Sequence, residues 1–147
     1  MYVNGPFGAF SLDREPGQGF VLVAGGIGIT PLRSMILTMR DRGEVRPVIL
    51  FYGARDWDAV VYRHELEELQ DEVLLTVVWV FERPGPNWKG ECGYVTPELL
   101  KRHLPDHFKR YQYFMCGPTP MMDAMEEHLE TVGVPSSRVH SERFDVV

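Results

Sequence analysis

The chain has 147 residues, 44% of them hydrophobic, and a net charge of −6 from 15 Lys and Arg against 21 Asp and Glu. That length suits one domain with a buried core, and the acidic balance argues against a nucleic-acid or anionic-membrane surface, which needs clustered basic side chains. The 2 cysteines do not make a disulfide framework and point to a reducing compartment, and no apolar run approaches the ~20 residues of a membrane-spanning helix.

Residues 1–18 place glycines and a proline between short apolar patches, as in Asn4-Gly5-Pro6-Phe7-Gly8. They read as a turn with a short strand, then a loop, and have the look of the end of an upstream unit. The apolar run over 20–24 predicts a buried strand. It stops at the turn Gly25-Gly26-Ile27-Gly28-Ile29-Thr30-Pro31. A helix is predicted over 31–42 with Pro31 at its first position, where the missing N–H costs nothing. Residues 46–53 predict a second strand. Residues 60–69 predict an amphipathic helix, with Val61, Leu66 and Leu69 inward and Glu65, Glu67 and Glu68 outward. A third strand is predicted over 73–81, then a Pro- and Gly-rich loop over 82–92. Thr96-Pro97-Glu98 opens a short helix to His103; a strand over 111–116, a helix over 119–132 and a short fifth strand over 137–141 follow. Strands alternating with helices predict an α/β fold, a parallel sheet covered on both faces. Ligands of such sheets bind beyond the carboxyl ends of the strands, where the turns after Ala24, Tyr52 and Cys116 fall.

The glycine turn fits a phosphate site: small residues admit the ligand to the backbone, and N–H groups at a helix start face an anion. It is not a Walker loop, since no Gly-Lys-Ser/Thr follows. It also departs from G-x-G-x-x-G, because Pro31 stands where the third glycine would be. A tight turn without a ligand is the plainer alternative. A second strand-turn-helix junction is Met115-Cys116-Gly117-Pro118-Thr119-Pro120-Met121. Cys116-Gly117-Pro118 leaves a thin wall for a flat ring, and Cys116 has no nearby His to make it a nucleophile. Met121, Met122 and Met125 read equally well as core packing. In Tyr52-Gly53-Ala54-Arg55-Asp56, Arg55 suits a phosphate and Asp56 a ribose hydroxyl, or the two form an ordinary surface pair. The 5 histidines show no metal-ligand spacing, so no metal site is expected.

Together, Gly25 to Pro31, Tyr52-Gly53-Ala54-Arg55, Cys116-Gly117-Pro118 and Glu142-x-Phe144 resemble the pyridine-nucleotide domain of the ferredoxin–NADP⁺ reductase superfamily, in order and spacing, from Gly19 to Phe144. The segment 4–8 resembles the turn that closes the flavin barrel of that family, and the ending His140 to Phe144 is most similar to its ferric-reductase-like branch. The resemblance implies a Rossmann-like sheet of five strands in the order 3-2-1-4-5. Residues 1–18 would then be a remnant of the flavin domain with its linker, and 19–147 the NAD(P)H-binding domain.

The resemblance further implies hydride transfer from NAD(P)H to FAD, then single-electron delivery to an acceptor such as a haem, an iron–sulfur protein or a ferric chelate. The glycine loop would hold the pyrophosphate, with Thr30 near the nicotinamide amide. Cys116 would flank the nicotinamide and Gly117 and Pro118 would shape its pocket, with Met115 and Met121 also among the cofactor-binding residues. Glu142 and Phe144 would sit at the flavin face. Nothing here matches the family's flavin-binding Arg-x-Tyr-Ser/Thr motif, so the chain alone is expected to hold no FAD. Glu82-Arg83 stands where NADPH users carry Ser-Arg; the carboxylate favours NADH, while Arg55 and Arg83 pull the other way. The setting implied is cytoplasmic, as a free protein or the cytoplasmic portion of a membrane-bound reductase. Two rivals remain: a nucleotide-sensing or docking module that has lost the redox reaction, and an unrelated dehydrogenase. The latter needs a proton-transfer residue for which none is placed.

Overall fold

A computed structural model describes residues 17–144. The expectations for residues 1–16, including the barrel-closing turn, lie outside the described residues. So does the tail beyond Phe144.

Among the described residues, a single parallel sheet runs in the order β4-β3-β2-β1-β5-β6. Its strands are β1 (Phe20–Gly25), β2 (Val48–Ala54), β3 (Leu75–Phe81), β4 (Glu91–Cys92), β5 (Gln112–Pro118) and β6 (Val139–Phe144). The expected order 3-2-1-4-5 is the run β3-β2-β1-β5-β6. The sheet has six strands rather than five, because β4 pairs Glu91 and Cys92 with Val80 and Phe81. Two residues carry no alternating pattern, so this strand was hidden in what read as loop. Its neighbour α3 (Pro97–His103) holds it: Glu91 accepts from Arg102 at 2.6 Å and meets His103 at 2.7 Å.

β1 is central and wholly buried, pairing with β2 on one side and β5 on the other. Its side chains alternate faces, as a strand's must. Phe20, Leu22 and Ala24 join the core beneath α1 (Ile29–Asp41) and α2 (Arg63–Glu72). Val21 and Val23 join the core beneath α3 and α4 (Thr119–Val132). The 3.6-residue stripe Ile29, Leu32, Ile36, Met39 is the buried face of α1, and Met122, Met125, Leu129, Val132 that of α4.

Three expectations need correction. α1 begins at Ile29, so Pro31 is its third residue; it still lies in the first turn, where N–H groups lack intrahelical partners. α2 begins at Arg63 rather than at residue 60, because a 3₁₀ turn, Trp57–Ala59, and a left-handed Tyr62 (φ 63°) intervene. Val61 is consequently 47% exposed instead of inward. The last strand runs to Phe144 and so includes Glu142.

Candidate functional site

The carboxyl ends of β1, β2 and β5 come together by register: Gly25 lies beside Gly53, Ala24 beside Cys116. The glycine turn leaves β1 as a 3₁₀ turn, Gly26–Gly28, that runs directly into α1. Gly26 adopts φ +57°, the left-handed region, and a Cβ there would meet nothing within 4 Å. Its surroundings are open, with room for a ligand against the backbone. Gly28 is different. A Cβ on Gly28 would collide with the backbone carbonyl of Cys116, so the turn rests on the Cys116-Gly117 peptide. Gly28, the N-cap, has no side chain to cap α1, and among the described residues none does so, which leaves that helix start to an outside acceptor.

From this turn an open cleft of about 530 Å³ crosses the sheet edge. It is bordered by Gly25 and Gly26, by Gly53, Ala54 and Arg55 after β2, by Glu82 after β3, and by Pro118 and Met121 at the β5–α4 junction. These are eight of the residues singled out in the sequence. The size is that of a small-molecule or cofactor site. A Cβ on Gly25 would strike the Met121 sulfur, so this glycine is what lets α4 close against the turn.

The other singled-out residues lie beside the cleft or beneath it. Ile27 is 71% exposed on the turn, and Thr30 is exposed at the start of α1. Ile29, Tyr52 and Met115 are fully buried, so their side chains serve the core and only their backbone reaches the edge. The Tyr52 hydroxyl accepts from Val61 N at 3.2 Å, and burial pushes its phenol up from the ordinary value. Asp56 caps the 3₁₀ turn by accepting from Ala59 N at 3.1 Å and takes Arg55 Nε at 3.2 Å. The Arg83 amide donates to the Arg55 carbonyl at 2.8 Å, which ties the two loops together.

On the β5–β6 side, Cys116 lies opposite Glu142 and Pro118 opposite Phe144. Cys116 is buried, and burial followed by the Glu142 charge pushes its thiol up. A neutral thiol suits a ring neighbour, not a nucleophile. Ser141 and Arg143 point the other way, to α4: Ser141 Oγ donates to Glu126 at 2.5 Å, and Arg143 donates to Glu126 at 2.6 Å and Asp123 at 2.9 Å. That clamp fixes the strand on which Glu142 and Phe144 alternate with these two residues.

The family description "Oxidoreductase NAD-binding domain" matches residues 22–127, most of the described sheet and its edge. The chain belongs to this family. NADH-cytochrome b5 reductase 1 of Cryptococcus neoformans is 32% identical over 99% of this chain and 53% of that protein. The glycine betaine monooxygenase reductase subunit of Pseudomonas aeruginosa is 32% identical over 97% of this chain and 39% of that protein. Among solved structures, the flavohaem-like FAD/NAD-binding domain of Vibrio cholerae nitric oxide dioxygenase superposes with a TM-score of 0.79 at 20% identity, covering 93% of this chain and 54% of that one, a likeness of fold. The chain therefore spans about half the length of the curated relatives or less. The NAD-binding domain lies within the ferredoxin–NADP⁺ reductase and cytochrome b5 reductase superfamily, as the sequence motifs suggested.

Several cleft residues of this NAD-binding domain carried no sequence signal. Tyr94, 70% exposed, presents its ring to the cleft and donates its hydroxyl to Glu82 Oε1 at 3.1 Å. His128 and Ala124 also border it from α4, with Val80, Gly93 and Val95 from the β3–α3 side. The hint for α4 was present: Met121, Ala124, Met125 and His128 follow helical spacing and form one stripe. The hint for Tyr94 was absent, since one exposed aromatic in a loop has no period.

Proposed function

We propose that the NAD-binding domain holds NADH across this sheet edge and presents it to a flavin carried by a neighbouring domain of a longer reductase, which passes single electrons onward. The observation that carries the reading is the parallel register that sets Cys116, Glu142, Pro118 and Phe144 side by side on β5 and β6, next to the glycine turn. A module that only sensed a nucleotide has no use for that second half of the edge. Its support also includes the length of the relatives, which leaves room for a flavin domain.

The residues present fit the cofactor. The open space over Gly26 and the uncapped start of α1 suit a pyrophosphate, and the cleft beyond suits the adenosine half. When bound, the dihydronicotinamide supplies a hydride equivalent and a flavin accepts it. The protein's own part is placement. Gly28, resting on the Cys116 peptide, keeps the turn and the ring wall at a fixed separation. Thr30, exposed at the α1 start, would supply a hydroxyl for the nicotinamide amide. The uncharged Cys116 thiol lines the ring without competing for it. Phe144, half-buried against the core, would cover the face of that flavin and exclude water there, with the Glu142 carboxylate on the same strand.

Selectivity follows from charge. Glu82 borders the cleft as a carboxylate held by the Tyr94 hydroxyl, whereas Arg55 is paired with Asp56. An acidic acceptor suits a ribose diol and repels a 2′-phosphate. NADH is thus the preferred ligand, in keeping with the name of the fungal relative. The electron acceptor is a haem protein, as the cytochrome b5 in the fungal relative's name suggests, and an iron–sulfur protein or a ferric chelate fits the same one-electron chemistry. The setting is the cytoplasm, where a free Cys92 and Cys116 stay reduced. Among the described residues no helix is long and apolar enough to cross a membrane.

Calorimetric titration of the chain with NADH and NADPH tests this. We expect NADH to bind at least ~10-fold more tightly, a difference of about 1.4 kcal/mol, and Glu82→Ser to narrow the gap. Tighter binding of NADPH would reverse the assignment.

A further inference from the structure

Resting on the reading of this edge as an NADH site, we propose that His128 is a specificity-determining residue that hydrogen-bonds the polar edge of the adenine ring. Four observations converge on it.

The first is length. Met121 stands beside Gly25 at the glycine turn, and His128 stands seven residues further along the same face of α4. Seven residues of α-helix span about 10.5 Å. That is roughly the reach from a pyrophosphate, through one ribose, to the far edge of a base. A dinucleotide anchored at Gly26 thus brings the end of its adenosine half to His128.

The second is the character of the cleft between those ends. Its walls there are Val80, Val95, Ala124 and Met125, with the exposed Tyr94 ring at the mouth. Apolar walls and one aromatic face suit a flat, stackable ring. They leave nothing polar to read which ring it is.

The third is that the other polar side chains of the cleft are committed. Glu82 accepts from Tyr94, and Arg55 is paired with Asp56. Both stand at the ends of β2 and β3, the ribose side of the cleft.

The fourth is that His128, half-buried, borders the cleft and has no hydrogen-bond or ion-pair partner among the described residues. A neutral imidazole carries one donor and one acceptor nitrogen that diverge, so one of them at a time meets a ring edge, donating to N1 or accepting from the 6-amino group. The adenine edge, N1 and the 6-amino group, offers the complement. The bland role of a helix-surface histidine gives no reason for the ring to border this cleft beside the apolar Ala124 and Met125.

The test compares NADH with reduced nicotinamide 1,N6-ethenoadenine dinucleotide, in which N1 and the amino group are tied into an extra ring. Both are titrated into the wild-type chain, His128→Ala and His128→Gln, with melting temperatures as a check on folding. We expect the wild-type chain to bind the etheno analogue about five- to tenfold more weakly than NADH, the effect of one lost hydrogen bond. His128→Ala should lose a similar factor for NADH and nothing further for the analogue. His128→Gln, which keeps a donor and an acceptor, should recover most of the loss. The proposal is overturned if His128→Ala binds NADH within twofold of wild type, or loses both ligands equally. Should His128→Ala not fold, equal affinity of the wild-type chain for the two dinucleotides overturns it as well. Failure of the wild-type chain to bind NADH at all is a separate result and removes the reading on which the proposal rests.

Discussion

Gly26 and Gly28 sit two residues apart and do different work. Gly26 needs its backbone conformation, φ +57°, but has free space around it. Gly26→Ala should therefore cost about 1–2 kcal/mol of stability from left-handed strain, read by urea unfolding, while the Gly28–Cys116 packing stays intact. Gly28→Ala forces a methyl group into the Cys116 carbonyl. It must move the turn off β5, so we expect a larger stability loss and at least ~10-fold weaker NADH binding, near the cost of a misplaced ligand group. Equal behaviour of the two variants would mean that the contact with Cys116 is unimportant. Cys116 has its own test. Its thiol is pushed up by burial and by Glu142, whereas Cys92 is exposed. With alkylating agent followed by mass spectrometry, Cys92 should react first. Cys116 should react appreciably only above the ordinary thiol value of about 8.5. Fast modification of Cys116 at neutral pH would contradict the assigned environment.

At the scale of elements, the site depends on how the loops after β2 and β3 are held. Trp57 packs against Trp79 at 4.9 Å, Phe81 at 5.0 Å and Trp88 at 5.6 Å between ring centroids, with the Arg63 guanidinium 4.1 Å over its ring. This cluster fixes the connection that presents Arg55 and Asp56. Trp57→Ala should cost about 3 kcal/mol and weaken NADH binding. Unchanged stability would show the cluster to be decorative. On the far edge, Glu91 ties β4 to α3 through Arg102 and His103, and these partners hold its carboxyl below the usual value. A carboxyl lowered on folding stabilises above its unfolded value of about 4.3 and loses that contribution as pH falls through the folded value. Glu91→Gln should flatten the loss of stability below about pH 4.3, measured by urea midpoints from pH 3 to 7, with little change in its slope near neutrality. An identical acid limb in wild type and variant would count against the pairing.

The same elements show what the sequence could carry. β1, β2, β3 and β5 were legible because continuous apolar runs bounded by turns mark buried parallel strands, and β1 is indeed buried at every residue. The start of α2 was not, because Tyr62 adopts a left-handed conformation that no local preference for tyrosine signals. β4 was invisible for want of length. The glycine turn was legible from its composition. Tyr94 was not, and His128 was legible only as a member of the α4 stripe, since the two stand 34 residues apart in sequence and both border the cleft. The opposition of Cys116 and Glu142 is a matter of register, which the motifs named together but spacing alone does not fix.

The whole molecule divides by sheet edge. Its core is a two-sided packing about β1, and Leu22, fully buried at the centre of the α1/α2 side, is its simplest probe. Leu22→Ala should cost about 2–5 kcal/mol. The amino-terminal edge of the sheet carries exposed Val45 and Leu74 and no part of the cleft. The carboxyl edge carries the glycine turn, the cleft, and the Cys116–Glu142 and Pro118–Phe144 pairs. If this domain is built to present NADH, binding must be felt at one edge only. Backbone amide chemical shifts followed by NMR during an NADH titration report that directly. Saturable shifts should concentrate at Gly25 to Thr30, Gly53 to Asp56, Glu82, Tyr94, Cys116, Gly117 and His128, with the amides around Val45 and Leu74 still. No saturable shifts, or shifts centred on Val45 and Leu74, would contradict it.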